Sequence, residues 1–65
     1  MTTKSLEYFL VVVKHLNISK AAKELFISQP ALSKQISQLE AELGVSLFDR
    51  TKHSLKLTHA GEVLL

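Results

Sequence analysis

The sequence contains no cysteine, so neither a disulfide framework nor a thiolate metal site can be built from it. Aromatics are few, three phenylalanines and one tyrosine. Phe9, Tyr8 and Phe48 read as core residues rather than a stacking platform. Long apolar runs are missing too. The longest, Phe9 to Val13, falls well short of the ~20 residues that span a membrane, and no signal peptide is visible. Charge of one sign is scarce: eight Lys and Arg face six Asp and Glu, for a formal +2. Net charge alone is therefore a weak pointer to nucleic acid. No repeat, low-complexity tract or Gly/Ser linker interrupts the chain. A length of 65 residues leaves no room for a second domain or a buried active-site cleft.

What is present belongs to a folded domain. The chain is 46% apolar and 22% charged, which argues against disorder. Leu6, Phe9, Leu10, Val13 and Leu16 recur at helical spacing and predict the inward face of a first helix. Asn17 can cap a second helix through Leu25, with Ala21, Ala22 and Leu25 turned inward and the alanines allowing close approach. Ser28 is a good N-cap for a third helix ending at Leu43. Pro30 falls in its first turn, where a missing N–H costs nothing, and Gly44 stands where a left-handed C-cap is expected. The period then changes. Leu47-Phe48 and Leu55-Lys56-Leu57, joined through Thr51 to Ser54, predict a β-hairpin. Thr58 caps a last helix with Glu62 in its opening turn. Residues 60–65 read as the first turns of an apolar helix that is cut off, as in the N-terminal part of a longer chain.

Two short helices with a tight connection read as a helix-turn-helix. At ~100° per residue, Leu32, Ile36, Leu39 and Leu43 share one arc of the third helix and are expected in the core. The opposite arc holds Pro30, Ser33, Lys34, Ser37, Gln38 and Ala41, with Gln29 to one side at the helix start. This surface is free of acid in its N-terminal half; Glu40 and Glu42 are confined to the last turns. Gln can bond adenine bidentately, serine hydroxyls reach bases or phosphates, and a helix N-terminus favours phosphate. Such a face is by itself common on solvated helices. The preceding Ala-Ala helix and the following hairpin are what turn it toward a DNA major groove. In the hairpin, Arg50, Lys52, His53 and Lys56 gather positive charge opposite Asp49, as a wing touching phosphates or a minor groove would.

Ala21-Ala22-Lys23-Glu24-Leu25, Ser28-Gln29-Pro30-Ala31-Leu32-Ser33, Ile36, Leu39-Glu40, Leu43-Gly44, Leu47-Phe48 and Arg50 together resemble the N-terminal domain of LysR-type transcriptional regulators. Leu57-Thr58-His59-Ala60-Gly61 is similar to the start of that family's linker helix. The resemblance covers nearly the whole chain. It implies a mainly α, winged helix-turn-helix fold with a three-helix core, a hairpin wing and the start of a linker helix. The DNA-binding domain would occupy residues 1–58, with the helix-turn-helix at about 18–37 and the wing at about 46–57; 59–65 would begin the linker helix. The partners it implies are double-stranded operator DNA and a second copy, joined as a homodimer or higher homo-oligomer through the linker helix. A small-molecule effector would act only through a C-terminal domain absent from this sequence. The protein would be bacterial and cytoplasmic, without a membrane partner.

Carried over position by position, the resemblance makes Gln29, Pro30 and Ser33 major-groove contacts, with Lys34 and Ser37 beside them. Ser28 and Arg50 become phosphate or capping positions, and Lys52 and His53 the wing. Three positions depart from the family's habit. Lys34 stands where arginine is common and cannot offer arginine's planar fork to guanine. The wing tip Thr51-Lys52-His53-Ser54 has no glycine, so either Lys52 does the electrostatic work or insertion into a minor groove is weaker. Phe26 occupies the helix-turn-helix connection, where glycine is often favoured. A bulky residue at positive φ is strained, which leaves open which residue makes the turn and whether the ring packs on the first helix instead.

Other chemistry finds no support. His15, His53 and His59 have no ligand spacing, so no metal is expected, and no cofactor is. His15 and His59 read as exposed or partly exposed helix-end residues. Glu40 and Glu42 diverge as an i, i+2 pair, and no serine has a positioned base, so no enzyme activity is expected. The first helix has too weak a polar face to lie on a membrane. The rival class is a winged-helix protein-interaction module, which would show large apolar side chains on the third helix's outer face.

Overall fold

The computed structural model describes residues 1–51 and 54–65. The order is α1 (Thr3–His15), α2 (Ile18–Leu25), α3 (Gln29–Leu43), β1 (Phe48–Asp49), β2 (Lys56–Leu57) and α4 (His59–Leu64). The two short strands pair antiparallel, with Phe48 opposite Leu57 and Asp49 opposite Lys56. Three helices pack around one core, and the hairpin and α4 close its far side. This is the winged helix-turn-helix expected.

Each helix starts at a side-chain cap. Thr2 accepts from the Ser5 N–H, Asn17 from Lys20 (3.0 Å), Ser28 from Ala31 (3.2 Å) and Thr58 from Gly61 (3.1 Å). Each such cap is worth about 1 kcal/mol. Three helices end on a left-handed residue: Leu16 at φ 47°, Phe26 at φ 57° and Gly44 at φ 72°. Only Gly44 takes that conformation without strain from a β-carbon. The sequence left the turn residue open, and it is Phe26. Its ring does not pack on α1; it is 94% exposed.

The core consists of Tyr8, Phe9, Val12, Ala21, Ala22, Leu32, Ile36, Leu39, Leu47 and Phe48. Phe9 and Phe48 meet in a tilted ring pair with centroids 5.5 Å apart, tying α1 to the wing root. The inward face of α1 differs from the one expected. Ser5, Tyr8, Phe9 and Val12 are buried, whereas Leu10 and Leu16 are exposed and Val13 is only half-buried. Residues 8–13 are apolar in nearly every direction, so the period alone does not choose the face. Ser5 can be buried because its hydroxyl lies 3.0 Å from the Thr2 hydroxyl. On α3, Leu32, Ile36 and Leu39 are buried as expected, but Leu43 is exposed. It lies one turn beyond the closed core and lines an open apolar groove of about 310 Å³ with Val45, Ala60, Val63 and Leu64.

The last helix docks on the wing root. The Thr58 N–H donates to the Leu47 carbonyl at 2.9 Å, and the Thr58 hydroxyl to the Ser46 carbonyl at 2.6 Å. Gly61 is buried against Leu47 and Leu57. Of the terminal residues, Val63 and Leu65 are exposed, while Leu64 packs partly on the core.

Candidate nucleic-acid interface

Helix α3 packs against both α1 and α2. Its outer face carries the residues anticipated. Pro30, Lys34, Ser37 and Gln38 are exposed, and Ser33 is half-buried at the margin. Ser28 and Gln29 are exposed at its N-terminus. The Ser28 hydroxyl is already engaged with the Ala31 N–H, so its first role is the cap.

Gln29 is not a free side chain. Its Nε2 donates to the Ser19 hydroxyl at 3.2 Å, which orients the amide across the α2–α3 junction. A side chain held in this way loses less rotamer freedom when it meets a base edge. The outer face shows no large apolar side chain, as a protein-docking module would require. The exposed Phe26 caps the end of α2, ahead of α3 in the chain.

Charges are sorted more sharply than the net +2 suggests. Glu24 takes Lys14 at 2.9 Å and His15 at 2.8 Å, stapling α1 to α2. Its carboxyl is held below the ordinary carboxylate range, first by the hydrogen bond from Lys14 and then by that from His15. Glu42 pairs with the Met1 ammonium. Among the described residues, Lys20, Lys23 and Lys34 enter no ion pair. They leave the α2–α3 side with unneutralised positive charge.

Glu40, in the last turns of α3, reaches both the wing root and a positive residue. One carboxylate oxygen accepts from the Leu47 and Phe48 N–H groups, at 2.7 and 3.3 Å. The other lies 3.5 Å from Arg50 Nη2. Arg50 thus lies beside the C-terminal half of α3, at a shallow groove of about 440 Å³ that Ser46, Phe48 and Thr58 also line. Asp49 accepts from both the N–H and the hydroxyl of Thr51 and shapes the exit of β1. Lys52 and His53, expected at the wing tip, lie outside the described residues. Sequence reasoning missed Glu40. The only signal was an acid on the flank of a helix followed by a return of the chain, and the spacing does not say where the acid points.

The family model for bacterial regulatory helix-turn-helix proteins, lysR family, matches residues 3–62. This chain belongs to the lysR family. It is 49% identical over 65 residues to the HTH-type transcriptional regulator AlsR of Bacillus subtilis, spanning all of this chain and 22% of that protein. The crystal structure of a LysR-family transcriptional regulator from Eggerthella lenta superposes with a TM-score of 0.93 at 44% identity, covering 98% of this chain and 91% of that one. The complex of the BenM DBD with benA site 1 DNA superposes with a TM-score of 0.94 at 42% identity, covering 98% of this chain and 72% of that one. The lysR-family chain thus spans about a fifth of the length of AlsR. These relatives are HTH-type transcriptional regulators. Among the described residues, no helix is long and apolar enough to cross a membrane.

Proposed function

We propose that this lysR-family chain is the sequence-specific, double-stranded-DNA-binding head of a bacterial transcriptional regulator. The observation that carries the proposal is the outer face of α3. It is largely exposed, it is acid-free through its N-terminal half, and it presents Gln29, Pro30, Ser33, Lys34 and Ser37, with Lys20 and Lys23 of α2 entering no ion pair among the described residues. The likeness to the BenM DBD, whose structure is a complex with DNA, supports the same assignment. In this mechanism α3 enters the major groove N-terminus first. Gln29 and Ser33 address base edges, Lys34 supplies a point charge, and Ser28 and the helix N-terminus meet phosphate. The wing, with Arg50 at its root and Lys52 and His53 assigned to it by sequence, grips the flanking backbone or minor groove.

Residues 1–58 serve as the DNA-binding domain and 59–65 begin the linker helix. Two copies paired through that helix align two half-sites about one helical turn apart, or a multiple of it. Effectors act through a further domain of the full-length regulator, which works in the cytoplasm.

The test is selection of bound duplexes from a random pool with the chain joined to its linker helix. A palindromic consensus is expected. On the selected duplex, Gln29→Ala should cost about 1–3 kcal/mol and relax base preference at one position. Ser19→Ala, which only frees the Gln29 amide, should keep that preference. Equal losses for Gln29→Ala on selected and random duplexes would remove Gln29 as a base reader.

A further inference from the structure

Glu40 sits where the recognition helix meets the wing, and it does more than fill that corner. Counting ~100° per residue, Gln29, Ser33 and Glu40 lie within ~40° of one another, on one flank of α3. Glu40 is 11 residues beyond Gln29, or about 16 Å along the axis. Its carboxylate is spanned from both sides. One oxygen is held by two consecutive wing-root N–H groups, Leu47 and Phe48, and the other faces the Arg50 guanidinium. The Glu40 side chain is 17% exposed and that of Arg50 40%. Exposed ion pairs are commonly worth little, because two long side chains must be ordered at once. Here the acid is already ordered by the backbone, so only the arginine remains to be placed.

We propose that Glu40 is a positioning residue for DNA binding: it sets Arg50 at a fixed distance from the reading flank of α3, so that the phosphate contact of Arg50 and the base contacts of Gln29 and Ser33 fall in register. This rests on the duplex-binding assignment above. Glu40 itself does not touch DNA, and its negative charge opposes DNA. Its benefit comes through Arg50 alone, which makes the two residues separable in a double-mutant cycle.

The variants are Glu40→Gln, Arg50→Ala and both together. Glutamine keeps an acceptor oxygen for Leu47 and Phe48 and loses the charge toward Arg50. Binding is measured on the duplex selected by the wild-type chain and on a random duplex of equal length, across salt. Arg50→Ala should weaken both and lower the salt slope by about one unit. The effect of Glu40→Gln on the selected duplex should be about three- to tenfold more adverse with Arg50 present than in the Arg50→Ala background. In the free chain, 15N relaxation of Arg50 Nε should report an ordered side chain in the wild type. In Glu40→Gln it should become flexible, with an order parameter below ~0.6, while the Leu47 and Phe48 amides stay rigid.

An Arg50→Ala variant that binds both duplexes as the wild type does would refute the DNA contact of Arg50, and the positioning role with it. Loss in Arg50→Ala with an identical Glu40→Gln effect in both backgrounds would refute the positioning role alone. If Glu40→Gln does not fold, the wild-type relaxation decides: a flexible Arg50 overturns the proposal.

Discussion

Replacing Gly61 by alanine should destabilise the domain, although alanine is the better helix former. Gly61 lies in the first turn of α4, where Gly→Ala gains up to about 1 kcal/mol from helix propensity. The surroundings oppose this gain. A β-carbon at position 61 would lie 2.6 Å from Leu57 Cδ1 and 2.9 Å from Leu57 Cγ, and closer still to the Leu47 carbonyl oxygen. The leucine can rotate away, but the carbonyl cannot, because it also accepts the Thr58 N–H at 2.9 Å. Moving it means lifting α4 off the wing root or shifting Leu47, which is fully buried. Overpacking of this kind costs about 1–3 kcal/mol, and a backbone obstacle puts the cost at the upper end. The net loss is about 1–2 kcal/mol, or a fall in Tm of roughly 5–15 °C for a domain of this size. Thermal unfolding followed by circular dichroism at 222 nm measures it. Gly44→Ala is the control, since Gly44 has open space around the added carbon and pays only for its φ of 72°. An unchanged or raised Tm for Gly61→Ala would refute the close docking of α4 on Leu47.

Two further substitutions probe what holds the helices. Phe26→Asn should raise Tm by about 4–8 °C, because asparagine accepts the left-handed turn that costs phenylalanine about 1 kcal/mol, and the exposed ring has little packing to lose; a lower Tm would mean the ring is held. Glu24→Gln tests the α1–α2 staple through pH. The folded Glu24 carboxyl is lowered by Lys14 and then His15, so its contribution is full above the ordinary carboxylate range and is lost as pH falls through the lowered value. Urea midpoints of wild type and variant should differ at about pH 7 and draw together as pH falls below the ordinary carboxylate range; a constant gap would place the effect elsewhere.

The sequence was most legible where one residue type answers one geometric demand. Asn17, Ser28 and Thr58 each cap the helix expected of them, and Gly44 takes the left-handed C-cap. The outer face of α3 also emerged as anticipated, because Leu32, Ile36 and Leu39 leave it only one inward direction. Legibility failed where several answers satisfy the same pattern. In α1, apolar residues at 8–13 point all around the helix, and the choice of Ser5, Tyr8, Phe9 and Val12 is made by what α2 and the wing root present. At Phe26, tertiary structure overrides the local preference against positive φ in a bulky residue. Glu40 was hidden for a different reason. Its partners are two backbone N–H groups seven and eight residues away, and backbone donors leave no trace in the sequence.

The same sorting explains how a chain of formal charge +2 can serve as a DNA-reading head. Net charge counts every acid equally, but screening at physiological salt limits each to about 8 Å. Glu24 is bound toward α1, Glu42 is bound to the N-terminus, and Glu40 is spent on the wing root and Arg50. Under the proposed function, a duplex would meet Lys20, Lys23 and Lys34, which enter no ion pair among the described residues. Each phosphate neutralised contributes a salt slope of about 0.9, so a few such contacts give modest, strongly salt-dependent affinity. Under the function proposed above, affinity that charge does not supply would come from base contacts, with the Gln29 amide already held on Ser19, and from a second head at a fixed spacing. On that proposal, the indexing of α3, the wing root and α4 is what the fold contributes. The wing-root carboxylate and the glycine beneath α4 are where that indexing is built.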